Sequence, residues 1–488
     1  MKLFAKRSKP KDASPPFHPT TLIRDWGGGE GFRLSDALTG VAVFGATGSG
    51  KTSGPAKHLA YGYLANDFGG LVLCAKKEER GQWEQWALDT GRTKDLVIVD
   101  KEEQWRFNFL NWEAARPGEG GGFTINVVAL LDEIARALAS SEGKSEGGGG
   151  NNKFFEDALH HMNTNLVDLP IFAGLPVSLP LLRSIVSSAP TSTEQLRSEE
   201  WQESSACAAI LREADHATLL AGPATRADFE ECRNYWLIEY PTLSEKTRSI
   251  IALSFSMLVR PFITRPLRQL FSEDTTIFPE RAFEGKIIII DLPIQEYRLA
   301  GRVAQLVWKY CFQVAVLRRT QPSKGYLRPV FLWADEAQNF VTAFDAEYQA
   351  VARSAGGCTV YLTQNRESYK RVLGNEDAVD SLLGNLQCKF FCQNSGDTNE
   401  WAARLLGERY VNITGTNVGR GHEGHQHAGI STNEQKRYFV EPSTFTTLKR
   451  GGDAHNRQVE AIVYNGGKQF QSASSQELLP FKLLTFNQ

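Results

Sequence analysis

Apolar residues along the chain gather into short runs separated by stretches of mixed polarity. Val41-Ala42-Val43-Phe44, Leu71-Val72-Leu73-Cys74 and Leu96-Val97-Ile98-Val99 are continuous enough to be strands buried on both faces. A helix is expected from Lys51, and the interval Glu78 to Leu88 has helical character. Strands alternating with helices at this spacing predict a largely parallel sheet covered on both sides. From about Pro117 to Ser244 no strong strand pattern occurs, while helical candidates recur at Val127 to Leu138, Phe154 to Val167 and Glu199 to Ala214. The glycine-rich segments Gly118 to Gly122 and Gly143 to Gly150 resist packing and read as surface loops. Strands resume at Lys286 to Asp291, Val330 to Asp335, Cys358 to Thr363 and Lys389 to Cys392. Lys436 to Val440 and Glu460 to Tyr464 read as a hairpin appended to the sheet.

Composition narrows the picture. At 488 residues the chain exceeds what one hydrophobic core usually serves, so a large domain with a further domain or insertion is expected. With 41% apolar and 23% charged residues it reads as a soluble globular protein, and a net charge of −2 carries no global basic signature. Contact with nucleic acid would need a local patch. Ile287 to Ile290 and the interrupted run Ile250 to Val259 fall short of the roughly 20 residues that span a bilayer, so no transmembrane helix is expected. Lys2, Lys6, Arg7, Lys9 and Lys11 are not followed by an apolar core, which suits a basic tail rather than a signal peptide. Such a tail can touch an anionic membrane or nucleic acid. Seven cysteines without a CxxC pair suit a reducing compartment. Cys388 and Cys392 are spaced to share one face of a strand, where core packing is the favoured reading.

One motif carries definite chemistry. Gly45-Ala46-Thr47-Gly48-Ser49-Gly50-Lys51-Thr52 satisfies GxxxxGK[ST] and lies between an expected strand and an expected helix. Glycines let backbone N–H groups curl around phosphate oxygens, and the helix N-terminus adds partial positive charge. Lys51 is expected at the β- and γ-phosphates and Thr52 on Mg2+. The strand ending Ala334-Asp335-Glu336 supplies a second half: Asp335 to hold Mg2+ through its water shell, Glu336 to polarise the attacking water. Gln364 ends the following strand, where its amide would emerge beside the γ-phosphate. Arg353, between those strands, is either a guanidinium that reaches a neighbouring subunit's γ-phosphate or an ordinary solvated arginine. His422, His425 and His427 lie in the glycine-rich stretch Gly419 to Gly429, and a polar loop is favoured over a metal site.

The expected organisation is a basic tail and lead-in (1–36), a nucleotide-binding domain in two parts (37–116 and 245–488, the latter with the C-terminal hairpin) and an inserted all-α domain (117–244).

The motifs, in their order, resemble the type IV coupling proteins of bacterial conjugation and type IV secretion (TraG/TraD-like), in the FtsK/HerA group of ring-forming P-loop ATPases. The resemblance runs through Gly45 to Thr52, then Ala75-Lys76-Lys77-Glu78, where the family has an Asp-Pro-Lys-Gly-Glu-like run. It continues through Asn108-Phe109-Leu110, the helical insertion, Trp333-Ala334-Asp335-Glu336, Ala352-Arg353-Ser354 and Leu362-Thr363-Gln364. Asn385, Asp397, Ala402 and Leu406-Gly407 follow the closing pattern. It implies an α/β fold with a RecA-like P-loop NTPase domain, a mostly parallel sheet and an inserted all-α domain. It also implies ATP and Mg2+ as cofactors, and a homo-oligomeric ring, expected as a hexamer that the isolated protein can leave as a monomer. The implied activity is ATP hydrolysis that drives DNA, with a relaxase, to a type IV secretion channel. Membrane-bound members carry N-terminal transmembrane helices. This chain would therefore be cytoplasmic, or peripheral at the inner membrane through a separate membrane protein. Two alternatives stay open: an ATP-switched adaptor for protein substrates, and a HerA-like ATPase of DNA processing or phage defence.

Overall fold

The structure, a computed structural model, describes residues 15–102, 104–141, 150–272, 274–420, 426–472 and 477–488. In chain order its strands are β1 Leu22–Gly27, β2 Glu30–Arg33, β3 Val41–Phe44, β4 Gly69–Leu73, β5 Leu96–Val99, β6 Ile287–Ile290, β7 Val330–Ala334, β8 Gly357–Thr363 and β9 Cys388–Phe391. There follow β10 Glu408–Arg420, β11 Gln426–Tyr438, β12 Gln458–Asn465, the short pair β13 Phe470–Gln471 and β14 Leu478–Leu479, and β15 Phe481–Asn487. The chain divides into two compact units, residues 1–69, 85–92 and 319–488 in the first and 70–84 and 93–318 in the second.

In the first unit the strands run β15-β12-β9-β3-β8-β7. β9, β3, β8 and β7 are mutually parallel, and β12 and β15 are added antiparallel. All residues of β3, β7, β8 and β9 are buried, as continuous apolar runs require. Parallel alignment brings the ends of β3, β8 and β7, with the residues that follow them, to one edge of the sheet. That edge is where an open α/β sheet binds ligands.

The second unit holds β4, β6 and β5 as parallel neighbours in that order. Among the described residues, every regular element from Thr124 to Phe271 is helical. The expected helix over Glu199 to Ala214 is broken at Ser205, whose hydroxyl caps the helix Ala206–Thr218 by accepting from Ala208 N. At the ends of β4 and β6 the fully buried Gln305 donates to Cys74 O at 3.0 Å and Ile290 O at 2.9 Å, and accepts from Cys74 N at 3.3 Å. Arg80 lies nearby, held by Glu84, Asp100 and Asp291 at 2.8–3.3 Å.

One strand pairing differs from expectation. Lys436 to Tyr438 do not pair with Glu460 to Tyr464; they end β11, which pairs with β10 in a sheet of its own. Glu460 to Tyr464 lie in β12, between β9 and β15. All seven cysteines are buried and free, including Cys388 and Cys392 on and after β9. The loop Gly143 to Gly149, His422 and His425 lie outside the described residues; His427 is in β11. Among the described residues, no helix is long and apolar enough to cross a membrane.

Candidate nucleotide-binding site

The turn after β3 is built by glycine. Gly48 and Gly50 have φ of 74° and 82°, in the left-handed region where a side chain is strained. At Gly50 a Cβ would also come within 2.9 Å of Arg450 O. Backbone bonds pin the loop to neighbouring strand ends: Gly45 N donates to Thr363 O at 3.2 Å and Ala46 N to Gln393 O at 3.0 Å. The helix does not begin as an ordinary α-helix. Thr52–Ala56 forms a π-helical turn containing Pro55, with Gly54 at φ −100° and ψ −106°, before the α-helix Lys57–Ala65. The wide turn is compatible with a proline that has no N–H to give.

Onto this loop the sheet brings the acids. Thr52 Oγ1 donates to Asp335 Oδ2 at 2.7 Å, and Lys51 Nζ meets Glu336 Oε1 at 3.5 Å, the long limit of a hydrogen bond. Lys51, Asp335 and Glu336 are all buried. Asp335 Oδ1 accepts from the Glu336 N–H at 2.8 Å, and Glu336 takes left-handed φ of 50°, which turns its side chain away from the strand direction. Gln364, at the end of β8 between the loop strand and the acid strand, donates to Glu336 Oε2 at 3.4 Å.

The residues fit a bound triphosphate with a divalent cation. Ser49 Oγ is buried with no hydrogen-bond partner, a cost that a phosphate oxygen would remove. Lys51 is a buried cation with only a long contact to a carboxylate, and a hydroxyl beside a carboxylate, as at Thr52 and Asp335, is a hard-oxygen pair suited to Mg2+. A cleft of about 480 Å3 opens beside the loop, lined by Ala46, Thr47, Gln364, Asn394 and Asp397 among others. Below it, burial pushes the Cys392 thiol up to about 12 despite the lowering pull of Lys51, so it stays protonated and inert.

Arg353 is the one expected site residue placed elsewhere. It lies on the turn Arg353–Ala355 at the start of β8, the opposite end from Gln364, and lines a largely apolar cavity with Leu38, Tyr326 and Val351. Seven strand residues at about 3.3 Å each separate the two ends, so Arg353 does not reach the loop of its own subunit. Two residues escaped the sequence reading. Gln338 donates to Glu336 Oε2 at 2.8 Å and accepts from Thr363 Oγ1 at 2.9 Å, while buried Asn394 donates to Gln364 O at 2.6 Å. Gln338 lies two residues beyond the acid pair, the only signal it offered.

Fold and loop together define a class: a RecA-like P-loop protein whose loop residues fit a nucleoside triphosphate. Within it, residues 329–450 match the family described as "TraM recognition site of TraD and TraG". No curated protein matches the chain by sequence. Among solved structures, it is similar to the plasmid coupling protein TrwB in complex with the ATP analogue ADPNP, with a TM-score of 0.59, 16% identity, and 99% of this chain and 90% of that one covered. TrwB in complex with ADP and Mg2+ gives 0.56, 15%, 99% and 89%. An unbound form of the bacterial conjugative coupling protein TrwBdeltaN70 gives 0.55, 15%, 96% and 88%. The family match spans 122 of the 488 residues, and the likeness to the coupling-protein structures is one of fold.

Proposed function

We propose that the protein is an ATP-hydrolysing coupling protein that drives DNA toward a conjugative or type IV secretion channel, with Mg2+ as the metal. The observation that carries the reading is the 2.7 Å pairing of Thr52 with Asp335 at the end of parallel strands, with Lys51, Glu336 and Gln364 around it. Gly45 to Lys51 hold the phosphates, and Thr52 and Asp335 hold Mg2+, which screens the phosphate charge when bound. Glu336 takes the proton of the attacking water, and Gln364 orients that water. Similarity to TrwB, solved with ADPNP, with GDPNP and with ADP and Mg2+, supports the cofactors. The helical segment 117–244 contributes no nucleotide motif, and we assign it to substrate recognition.

We assign Arg353 to a neighbouring subunit's site within a ring, a role compatible with its exposed position at the far end of β8 from its own loop. A second reading, a nucleotide-switched adaptor for a protein, draws on the family description of residues 329–450 as a TraM recognition site. ATP turnover measured with and without single- and double-stranded DNA, beside molar mass in solution, separates the two: stimulation by DNA supports the motor, and its absence the adaptor. Mixing Arg353→Ala with Lys51→Ala, each inactive alone, tests the ring. Activity should return where an intact Lys51 site meets an intact Arg353, and no recovery despite co-assembly counts against the trans role.

A further inference from the structure

β10 and β11 pair over 13 residues each as a two-stranded sheet joined to no other strand. Such a ribbon is about 40 Å long at roughly 3.3 Å per residue, and an isolated hairpin is marginal in water without something to pack on. Its described side chains are largely exposed on both faces, with Tyr410 at 68% and Ile430 at 73%.

Charge is sorted between the faces. Strand alternation puts Glu408, Glu434 and Lys436 on one, where Lys436 pairs with Glu408. On the other, Arg409 stands directly opposite Arg437, with Val411, Ile413, Gly415, Ser431, Asn433 and Gln435 beyond them. Both arginines are exposed: the Arg409 guanidinium lies 5.8 Å from the Phe439 ring centroid and Arg437 donates to Gln435 Oε1 at 3.5 Å, while neither has a carboxylate partner among the described residues. Like charges on directly opposed positions of a sheet repel, and an anion bound at this pair would offset that repulsion.

The ribbon is also tied to the nucleotide site. Asn394 Nδ2 holds Gln364 O at 2.6 Å, and Asn399 Nδ2 holds Asn394 O at 2.9 Å and Pro442 O at 3.2 Å. Asn399 lies on the helix Asp397–Leu406, which leads into β10, and Pro442 follows β11. Both roots of the ribbon therefore connect to Gln364 through two buried amides.

We propose that the β10–β11 ribbon is the arm that grips the phosphate backbone of a nucleic acid, through Arg409 and Arg437, and that Asn399 relays the state of the nucleotide site to it. A two-stranded ribbon has the width to enter the major groove of DNA, and two arginines at one register position suit phosphate oxygens. The proposal rests on the reading of nucleic acid as the substrate.

The test compares the full chain with R409Q/R437Q, R409K/R437K and N399A, on a duplex and a single-stranded oligonucleotide. Basal ATP turnover and nucleotide affinity serve as folding controls. R409Q/R437Q should keep basal turnover, lose about tenfold or more in DNA affinity at moderate salt, and lower the slope of log K against log salt by about 2, while the lysine pair retains most of the affinity. N399A should keep DNA affinity and lose the stimulation of turnover by DNA. Unchanged affinity and slope in R409Q/R437Q, with wild-type protein binding DNA, overturns the ribbon contact, and undiminished stimulation in N399A overturns the relay. If the wild-type chain binds neither oligonucleotide, it is the substrate reading that fails.

Discussion

Each of the two units presents a row of parallel strand ends, and the two rows are finished in opposite ways. In the second unit the ends of β4 and β6 are closed by the chain itself: Gln305 satisfies backbone groups of Cys74 and Ile290, and Arg80 neutralises Asp100 and Asp291. In the first unit the ends of β3, β7 and β8 carry left-handed glycines, an unpartnered Ser49 hydroxyl and a buried Lys51 with one long contact. The same architecture yields one edge where side chains pair the strand-end groups around a small cleft of about 290 Å3, and another where they leave groups fit for a ligand. Buried polar groups cost free energy until paired, so an unpartnered hydroxyl and a weakly paired ammonium side by side on one loop are informative.

The largest effect should come from breaking the open edge. Lys51→Ala or Thr52→Ala is expected to reduce ATP turnover by at least about 100-fold, since triphosphate charge then lacks its cation or its metal ligand. Glu336→Gln keeps the shape and loses the proton acceptor, so turnover should fall by a similar factor while nucleotide affinity is retained. Steady-state turnover alongside equilibrium nucleotide binding checks both. Equal losses of affinity and turnover in Glu336→Gln would make that residue structural.

How much of this edge the sequence disclosed follows from the range of each interaction. The loop Gly45 to Thr52 was legible because the motif is local: its glycines make the turn that sets Lys51 and Thr52 beside the acids. Asp335 and Glu336 were legible because an apolar run ended on them. Gln338 and Asn394 were not, since their roles depend on the left-handed turn at Glu336 and on the neighbouring placement of β3 and β9. The strands of the sheet stood out through continuous apolar runs. The ribbon did not, because β10 and β11 bury neither face against a core and so lack the alternation that marks a half-buried strand. Reading Lys436 to Val440 with Glu460 to Tyr464 failed for that reason: β12 takes its partners from the buried β9 and from β15.

A smaller effect is expected from opening the closed edge. Gln305→Leu keeps the approximate volume and removes the side-chain partners of Cys74 N, Cys74 O and Ile290 O. That should cost about 2–5 kcal/mol in the stability of the second unit. Nucleotide affinity at folding temperatures should be unaltered, because the groups of the loop lie in the other unit. Chemical denaturation followed by tryptophan fluorescence, with nucleotide titration as the second readout, distinguishes a stability loss from a site effect. A change in affinity without a change in stability would contradict the contrast between the two edges.

The smallest effect separates an unpaired group that serves a ligand from one that does not. Lys389, on β9 beside the loop strand, is buried, donates to Leu386 O at 2.6 Å and lies over the Tyr464 ring, but has no carboxylate partner among the described residues. Burial brings its pKa down to about 8. Because the unfolded chain holds its proton up to the ordinary lysine range, folding costs most below about pH 8, and the penalty is relieved as pH rises from there toward the unfolded value. Lys389→Met should therefore be more stable than the parent protein by about 1–3 kcal/mol at pH 7, less whatever the lost bond to Leu386 contributes, with the difference shrinking by pH 10. Nothing in its position places Lys389 at the phosphates, so ATP turnover should stay within about twofold. Melting temperatures of both proteins at pH 7 and pH 10 test the sign. A difference that grows with pH would show that the ammonium is stabilised in place, and that the first unit compensates this charge as fully as the second compensates Arg80.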